Sequence, residues 1–142
     1  MNVDIGVAIA GHIQTLSDVT AMVQSRVYSD VVPQTSGVPA VLLRIISEIP
    51  NNALDGPLGM DRARIQIDSY GRTRPEANEL AWHIWRGLAA ADPQDINSVR
   101  VVDIIRDSGV RYANDRAEAG SDQVRFLSSQ DFLVNYYSCE AV

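Results

Sequence analysis

Residues 61–88 read DRARIQIDSYGRTRPEANELAWHIWRGL, and this stretch decides the fold. In its first part Arg62, Arg64, Gln66, Asp68 and Tyr70 alternate with Ala63, Ile65, Ile67 and Ser69. Successive side chains of an extended chain point to opposite faces, so this spacing predicts a strand with one polar and one apolar face. Gly71 ends it. Thr73, three residues before Glu76, makes a capping-box signature, and Pro75 is tolerated in a first helical turn. Ala77, Leu80, Ala81, Ile84 and Leu88 then fall on one face of a helix running to about Ala91, stopped by Asp92 and Pro93.

Upstream, Val41, Leu43, Ile45 and Ile49 alternate with Leu42, Arg44, Ile46 and Glu48, which predicts a long strand. Between the two strands, Pro50 to Gly59 holds Asn51, Asn52, Asp55, Gly56 and Pro57. These are turn formers, so the stretch reads as a hairpin loop longer than a tight turn needs. Asp30 to Gly37 is a punctuated loop. Val3, Ile5, Ile9, Ile13 and Leu16 trace a helical stripe weakened by Gly6 and Gly11. Ser17 or Asp18 can cap a further turn ahead of Val19, Met22 and Val23, giving one bent helix or two short ones.

Downstream, Val99, Val101, Val102, Ile104 and Ile105 are β-branched and predict a third strand. Asp107 to Asp122 is polar, either a long loop or two poorly formed strand ends around a turn. The last strand, Phe126 to Tyr137, sets Phe132, Val134 and Tyr136 on one side and Leu133, Asn135 and Tyr137 on the other. The order is helix, strand, strand, helix, strand, strand. It predicts an α+β fold, a two-layer sandwich of a mainly antiparallel four-stranded sheet packed by two or three helices.

At 142 residues the chain is of single-domain length, and residues 1–142 read as one unit without internal repeats. Its 46% hydrophobic and 21% charged composition is that of an ordinary folded domain, which excludes native disorder. A net charge of −6 argues against a dedicated nucleic-acid binder. All twelve basic residues are arginine. The planar guanidinium suits protein interfaces, and a GC-rich genome produces the same bias. A single cysteine, Cys139, forms no internal disulfide, and its bland reading is a small, half-buried strand residue. No stretch approaches the ~20 apolar residues of a membrane span, and Met1 to Gly11 carries Asp4 and no basic residue, unlike a secretory signal. A cytoplasmic setting is expected.

Chemistry is sparse. His12 and His83 have no Cys, Asp or Glu at metal-ligand spacing beside them, and His83 reads as a histidine packed near the sheet. There is no nucleophile elbow, no paired Cys and His, and no glycine-rich phosphate cradle. No catalytic residue, metal or cofactor is expected. Trp82 and Trp85 lie beside the apolar stripe of their helix, where they either widen the buried face or anchor an interface. Arg62 and Arg64 share a strand face with Asp68 and Tyr70. Arg44 and Glu48 project similarly from the preceding strand. This face of mixed charge is either solvated or meets another subunit through arginine–carboxylate pairs.

The arrangement resembles the tail completion or tail terminator proteins of long-tailed bacteriophages. The likeness runs over nearly the whole chain, through SRVYSDVVPQTSGVPAVLLRIIS (25–47), the 61–88 stretch quoted above and the closing DFLVNYY (131–137). It is carried most by Arg26-Val27-Tyr28 followed by Pro33 and Pro39, by IQIDSYG feeding EANELA, and by the aromatic last strand. The resemblance implies a virion protein assembled in the host cytoplasm, a small sheet packed by helices that forms a homohexameric ring. Such a ring caps the tail tube, joins it to the head-closure or connector protein, and lets DNA pass through its lumen without specific binding. It implies no catalytic residues, no cofactor and no membrane contact. A head-closure or neck adaptor is the neighbouring reading, and a small ligand-binding domain or enzyme with a pocket under Trp82 and Trp85 the distant one. The segments Pro50 to Gly59 and Asp107 to Asp122 are expected to be mobile in a lone subunit and ordered in the assembly.

Overall fold

The computed structural model describes residues 4–33, 37–53, 56–89, 94–97, 99–107, 109–116 and 124–137. Helices α1 (Ile5–Thr15) and α2 (Ser17–Val23) are followed by the short strand β1 (Val27–Ser29) and the long strands β2 (Ala40–Ala53) and β3 (Gly56–Gly71). Helix α3 (Arg74–Ala89) leads to β4 (Gln94–Ile96), β5 (Val99–Arg106), β6 (Arg111–Arg116) and β7 (Val124–Tyr137).

The sheet runs β1-β2-β3-β7-β5-β4, six strands along its path, with β6 pairing β7 beyond the end of β5. Every pairing among the described residues is antiparallel except β1 with β2, so the sheet is mixed and wider than four strands. Strand β1 left no mark in the sequence pattern: Val27, Tyr28 and Ser29 are too few to show alternation, and their pairing with Val41 to Leu43 is long-range. Strands β5 and β6 lie end to end along β7, joined at a kink where the Asp107 amide donates to the Asp131 carbonyl at 3.0 Å. Part of the polar stretch after Asp107 is therefore strand. The expected loop between Pro50 and Gly59 is likewise mostly ladder, since Asn52 opposes Pro57 and Ala53 opposes Gly56. Leu54 and Asp55 at its tip, the helix stop at Asp92 and Pro93, Cys139 and residues 117–122 lie outside the described residues.

All three helices cover one sheet face. Ile5, Ile9 and Ile13 of α1, Val19 and Val23 of α2, and Leu80, Ile84 and Leu88 of α3 form one buried cluster with Val41, Leu43, Ile65, Ile67, Phe132 and Val134. At roughly 1.5–3 kcal/mol per large apolar side chain removed from water, this layer dominates the fold's stability. Asp4 caps α1 by accepting from the Val7 amide at 3.1 Å, and Leu16 separates α1 from α2. The predicted cap of α3 forms: the Glu76 amide donates to Thr73 Oγ1 at 3.2 Å, and the Glu76 carboxylate reaches back to the Arg72 amide at 2.9 Å. A second small cluster, Val38, Ala40, Leu42 and Tyr70 with Tyr28, Val32 and Leu127, fills one end of the opposite face.

Candidate functional site

The helix-free sheet face carries the predicted charge, and the structure shows how that charge is used. Arg62, Arg64, Gln66, Asp68 and Tyr70 lie opposite Asn135, Leu133, Asp131, Ser129 and Leu127 of β7. Arg44 Nη2 meets Asp68 Oδ2 at 3.0 Å, and Gln66 donates to the other Asp68 oxygen at 3.0 Å. Arg64 is held between Asp107 at 2.6 Å and Asp131 at 3.2 Å, while Arg111 reaches Asp131 at 2.8 Å. These carboxylates push the pKa values of the Arg64 and Arg111 guanidiniums above their ordinary range, the hydrogen bonds that Arg64 donates to Asp107 and Arg111 donates to Asp131 being the largest causes. Arg62 Nε donates to Asn135 Oδ1 at 3.0 Å. The arginine–carboxylate pairs that the sequence suggested for a subunit contact thus close within one chain, and Asp68 is 2% exposed beneath them. Tyr70 belongs to the small apolar cluster, with Arg125 5.1 Å over its ring.

Glu48 does not share this face. Ile45 opposes Ile65 but Ser47 opposes Arg64, so Ile46 is the extra residue of a β-bulge. Since side chains alternate with a period of two, one inserted residue sends everything beyond it to the other face. Glu48 therefore opposes Ala63 on the helix side, where its carboxylate accepts from the Tyr136 hydroxyl at 3.2 Å. The Tyr136 hydroxyl is pushed far above its ordinary value, first by burial and then by the charges of Glu48, Asp61 and Asp4. Three carboxylates accordingly surround it. Nearby, a groove of about 160 Å³ between the start of α1 and the β2 edge is lined by Asp4, Asp30, Val7 and Ile45. Beyond Leu43, β2 has no outer strand partner among the described residues, and Ile46 and Ile49 stand there 50% and 59% exposed.

At the other edge of the sheet, α3 and the β5–β6 kink enclose a cleft of about 300 Å³ lined by Trp82, Trp85, Arg106, Val110, Tyr112 and Gln130 among others. The tryptophans divide between the two roles the sequence left open: Trp85 packs against the core, and Trp82 is 50% exposed. Arg106 stacks over Trp85 at 4.2 Å, Arg86 over Trp82 at 5.3 Å, and Arg74 over Tyr112 at 5.2 Å. Among the described residues none of these three guanidiniums forms an ion pair. Gln130 is wholly buried at the base, its amide nitrogen donating to the Ala81 carbonyl at 2.9 Å. Tyr112 and Arg106 gave no sequence signal, because the kink that brings them to α3 is a long-range feature.

His83, read as a histidine packed near the sheet, is mostly buried between α3 and α2, 3.6 Å from Glu79 and 3.9 Å from Asp18. His12 is partly buried, and burial lowers its pKa. Among the described residues, no group of three or more His, Cys, Asp or Glu side chains converges as a metal site would require. No helix among them is long and apolar enough to cross a membrane.

Comparison with known proteins agrees with the resemblance read from the sequence. The chain superposes on a chain of a solved structure described as "Virion of native gene transfer agent (GTA) particle", with a TM-score of 0.62, 16% identity and 93% of each chain covered. At that identity the likeness shows a shared fold. No curated protein matches. The family model for the tail completion protein gp17 matches residues 7–127, which take in most of the three helices, the β2–β3 hairpin and strands β4 to β6. The chain belongs to the tail completion protein gp17 family.

Proposed function

We propose that this protein is a structural component of a phage or phage-like virion, placed at the head-proximal end of the tail. There it forms a six-membered ring that ends the tail tube and offers the surface to which a head-closure or connector protein docks. The observation that carries this reading is the family match over residues 7–127. The shared fold with a chain of a gene transfer agent particle is consistent with it. Chemistry supports the same direction. The polar sheet face, with Arg44, Arg62, Arg64, Asp68 and Tyr70, is largely neutralised within the chain, so it is suited to packing and stiffness rather than to turnover. A net charge of −6 fits a lumen through which DNA slides without being held.

Deleting the gene and imaging the particles by electron microscopy tests the proposal. Tails of irregular length, or tails detached from full heads, are expected. Normal particles would refute it. A neck adaptor is the second reading, and cross-linking separates the two: contact with the tube protein marks the terminator, contact with the portal alone marks the adaptor.

A further inference from the structure

The two patches at the sheet edges are complementary in charge and in shape of side chain. The first lies beside the part of β2 that has no outer partner among the described residues: a groove lined by Asp4 and Asp30 with exposed Val7 and Ile45, and next along the sheet Glu48, bonded to the Tyr136 hydroxyl, and Asp61, which opposes Tyr136. The second, at the β5–β6 kink, combines Arg74, Arg86 and Arg106 with the rings of Trp82, Trp85 and Tyr112. One is acidic and aliphatic; the other is cationic and aromatic.

Their positions matter as much as their chemistry. Glu48 and Asp61 point to the helix side, as do Tyr112 and Arg106, which oppose Ser128 and Phe132. The patches therefore occupy the same sheet face at opposite edges, with β3 and β7 between them. Arg106 lines the cleft itself, Arg74 stacks on its Tyr112, and Arg86 stacks on its Trp82 while lining the adjoining groove beside Asp18 and His83. In an acidic protein, three such arginines without ion-pair partners among the described residues are not explained by the fold's own needs. Their guanidiniums lie 5.2, 5.3 and 4.2 Å from the ring centroids of Tyr112, Trp82 and Trp85, and a guanidinium so placed over a ring keeps N–H donors at its edge for a carboxylate.

We propose that these patches are the two halves of one contact between copies of this chain, the acidic groove of one subunit receiving the arginine–indole cleft of the next. This rests on the ring reading above and deepens it by naming the surfaces. Because the halves differ and lie on opposite edges, each copy can engage two neighbours head to tail, the kind of contact from which a closed ring is built when its rotation closes. The paired charges fix direction and register, while the indoles, Val7 and Ile45 exclude water from the contact. The β2 bulge acquires a role: without it Glu48 would face the other side of the sheet.

Sedimentation velocity of the full chain over a range of concentrations, with two reversed variants, tests this. One variant carries Glu48→Arg and Asp61→Arg; the other carries Arg86→Glu and Arg106→Glu. The unaltered chain should assemble. Each variant, confirmed folded by circular dichroism, should associate at least tenfold more weakly alone, and an equimolar mixture should recover assembly, since each then offers the complement of the other. The milder Glu48→Gln with Arg106→Gln, tested in parallel, guards against misfolding and should also weaken association. If the unaltered chain assembles and the variants assemble equally well, or if folded variants fail to rescue each other, this assignment is wrong and the ring stands on other surfaces. A chain that stays monomeric at every concentration would refute the ring as well.

Discussion

Gly71 is where the sheet hands the chain to α3, and it tolerates no side chain. A Cβ built there would lie 2.6 Å from the Ala77 backbone nitrogen, 3.1 Å from Glu76 Cβ and 3.1 Å from the Thr73 carbonyl oxygen. An ordinary contact of this kind needs at least about 3.4 Å, and Ala77 N belongs to the first turn of the helix, so relief requires α3 to move relative to β3. Overpacking of this sort costs roughly 1–3 kcal/mol, against which the stiffer unfolded chain returns about 0.4–1 kcal/mol. Gly71→Ala should therefore lose about 1–2 kcal/mol, read as a lower urea midpoint at unchanged slope. Gly109 is the control, because a Cβ placed there meets no atom within 4 Å, and Gly109→Ala should stay within about 0.5 kcal/mol of the parent. Since α3 carries Trp82, Trp85 and Arg86, the Gly71 variant should also associate less well. A Gly71→Ala protein as stable as the parent, or a Gly109→Ala protein equally weakened, would show that close approach to the helix is not what keeps glycine at this position.

Other consequences are open to measurement. Burial lowers the His12 pKa below its unfolded value of 6.5, so the unfolded state binds the proton first; stability should fall as pH drops below about 6.5, and His12→Gln should flatten that slope in pH-dependent melts. Tyr136 behaves in the opposite sense: its folded pKa is raised above 10, so stability is complete below that pH and declines as pH rises through it, and Tyr136→Phe should remove the alkaline loss while costing about 1 kcal/mol at neutral pH. Asp131→Asn should lower the urea midpoint more than Asp107→Asn, because Asp131 is shared by Arg64 and Arg111 whereas Asp107 pairs with Arg64 alone.

What the sequence reveals here follows the range of each interaction. The β3 alternation and the Thr73–Glu76 cap are local, and both the strand and the helix stand where the spacing places them. The face shared by Arg62, Arg64, Asp68 and Tyr70 is legible for the same reason. Glu48 is not, because the bulge at Ile46 is a backbone event set by pairing with β3 and has no compositional mark. Turn formers at Pro50, Asn52, Gly56 and Pro57 suggest a loop, yet the ladder to β3 continues through them nearly to the tip. The arginine–indole cleft is invisible for a further reason: it joins α3 to the kink at Arg106 and Tyr112, and only the tertiary fold brings them together.

The place proposed for this chain in the particle is open to direct observation by cryo-electron microscopy of intact virions. Ring-shaped density at the junction of head and tail is expected, into which this fold fits with the edge bearing Glu48 in each subunit facing the neighbour's Trp82 and Arg106. Purified, infectious particles that contain no copy of the chain would contradict that placement.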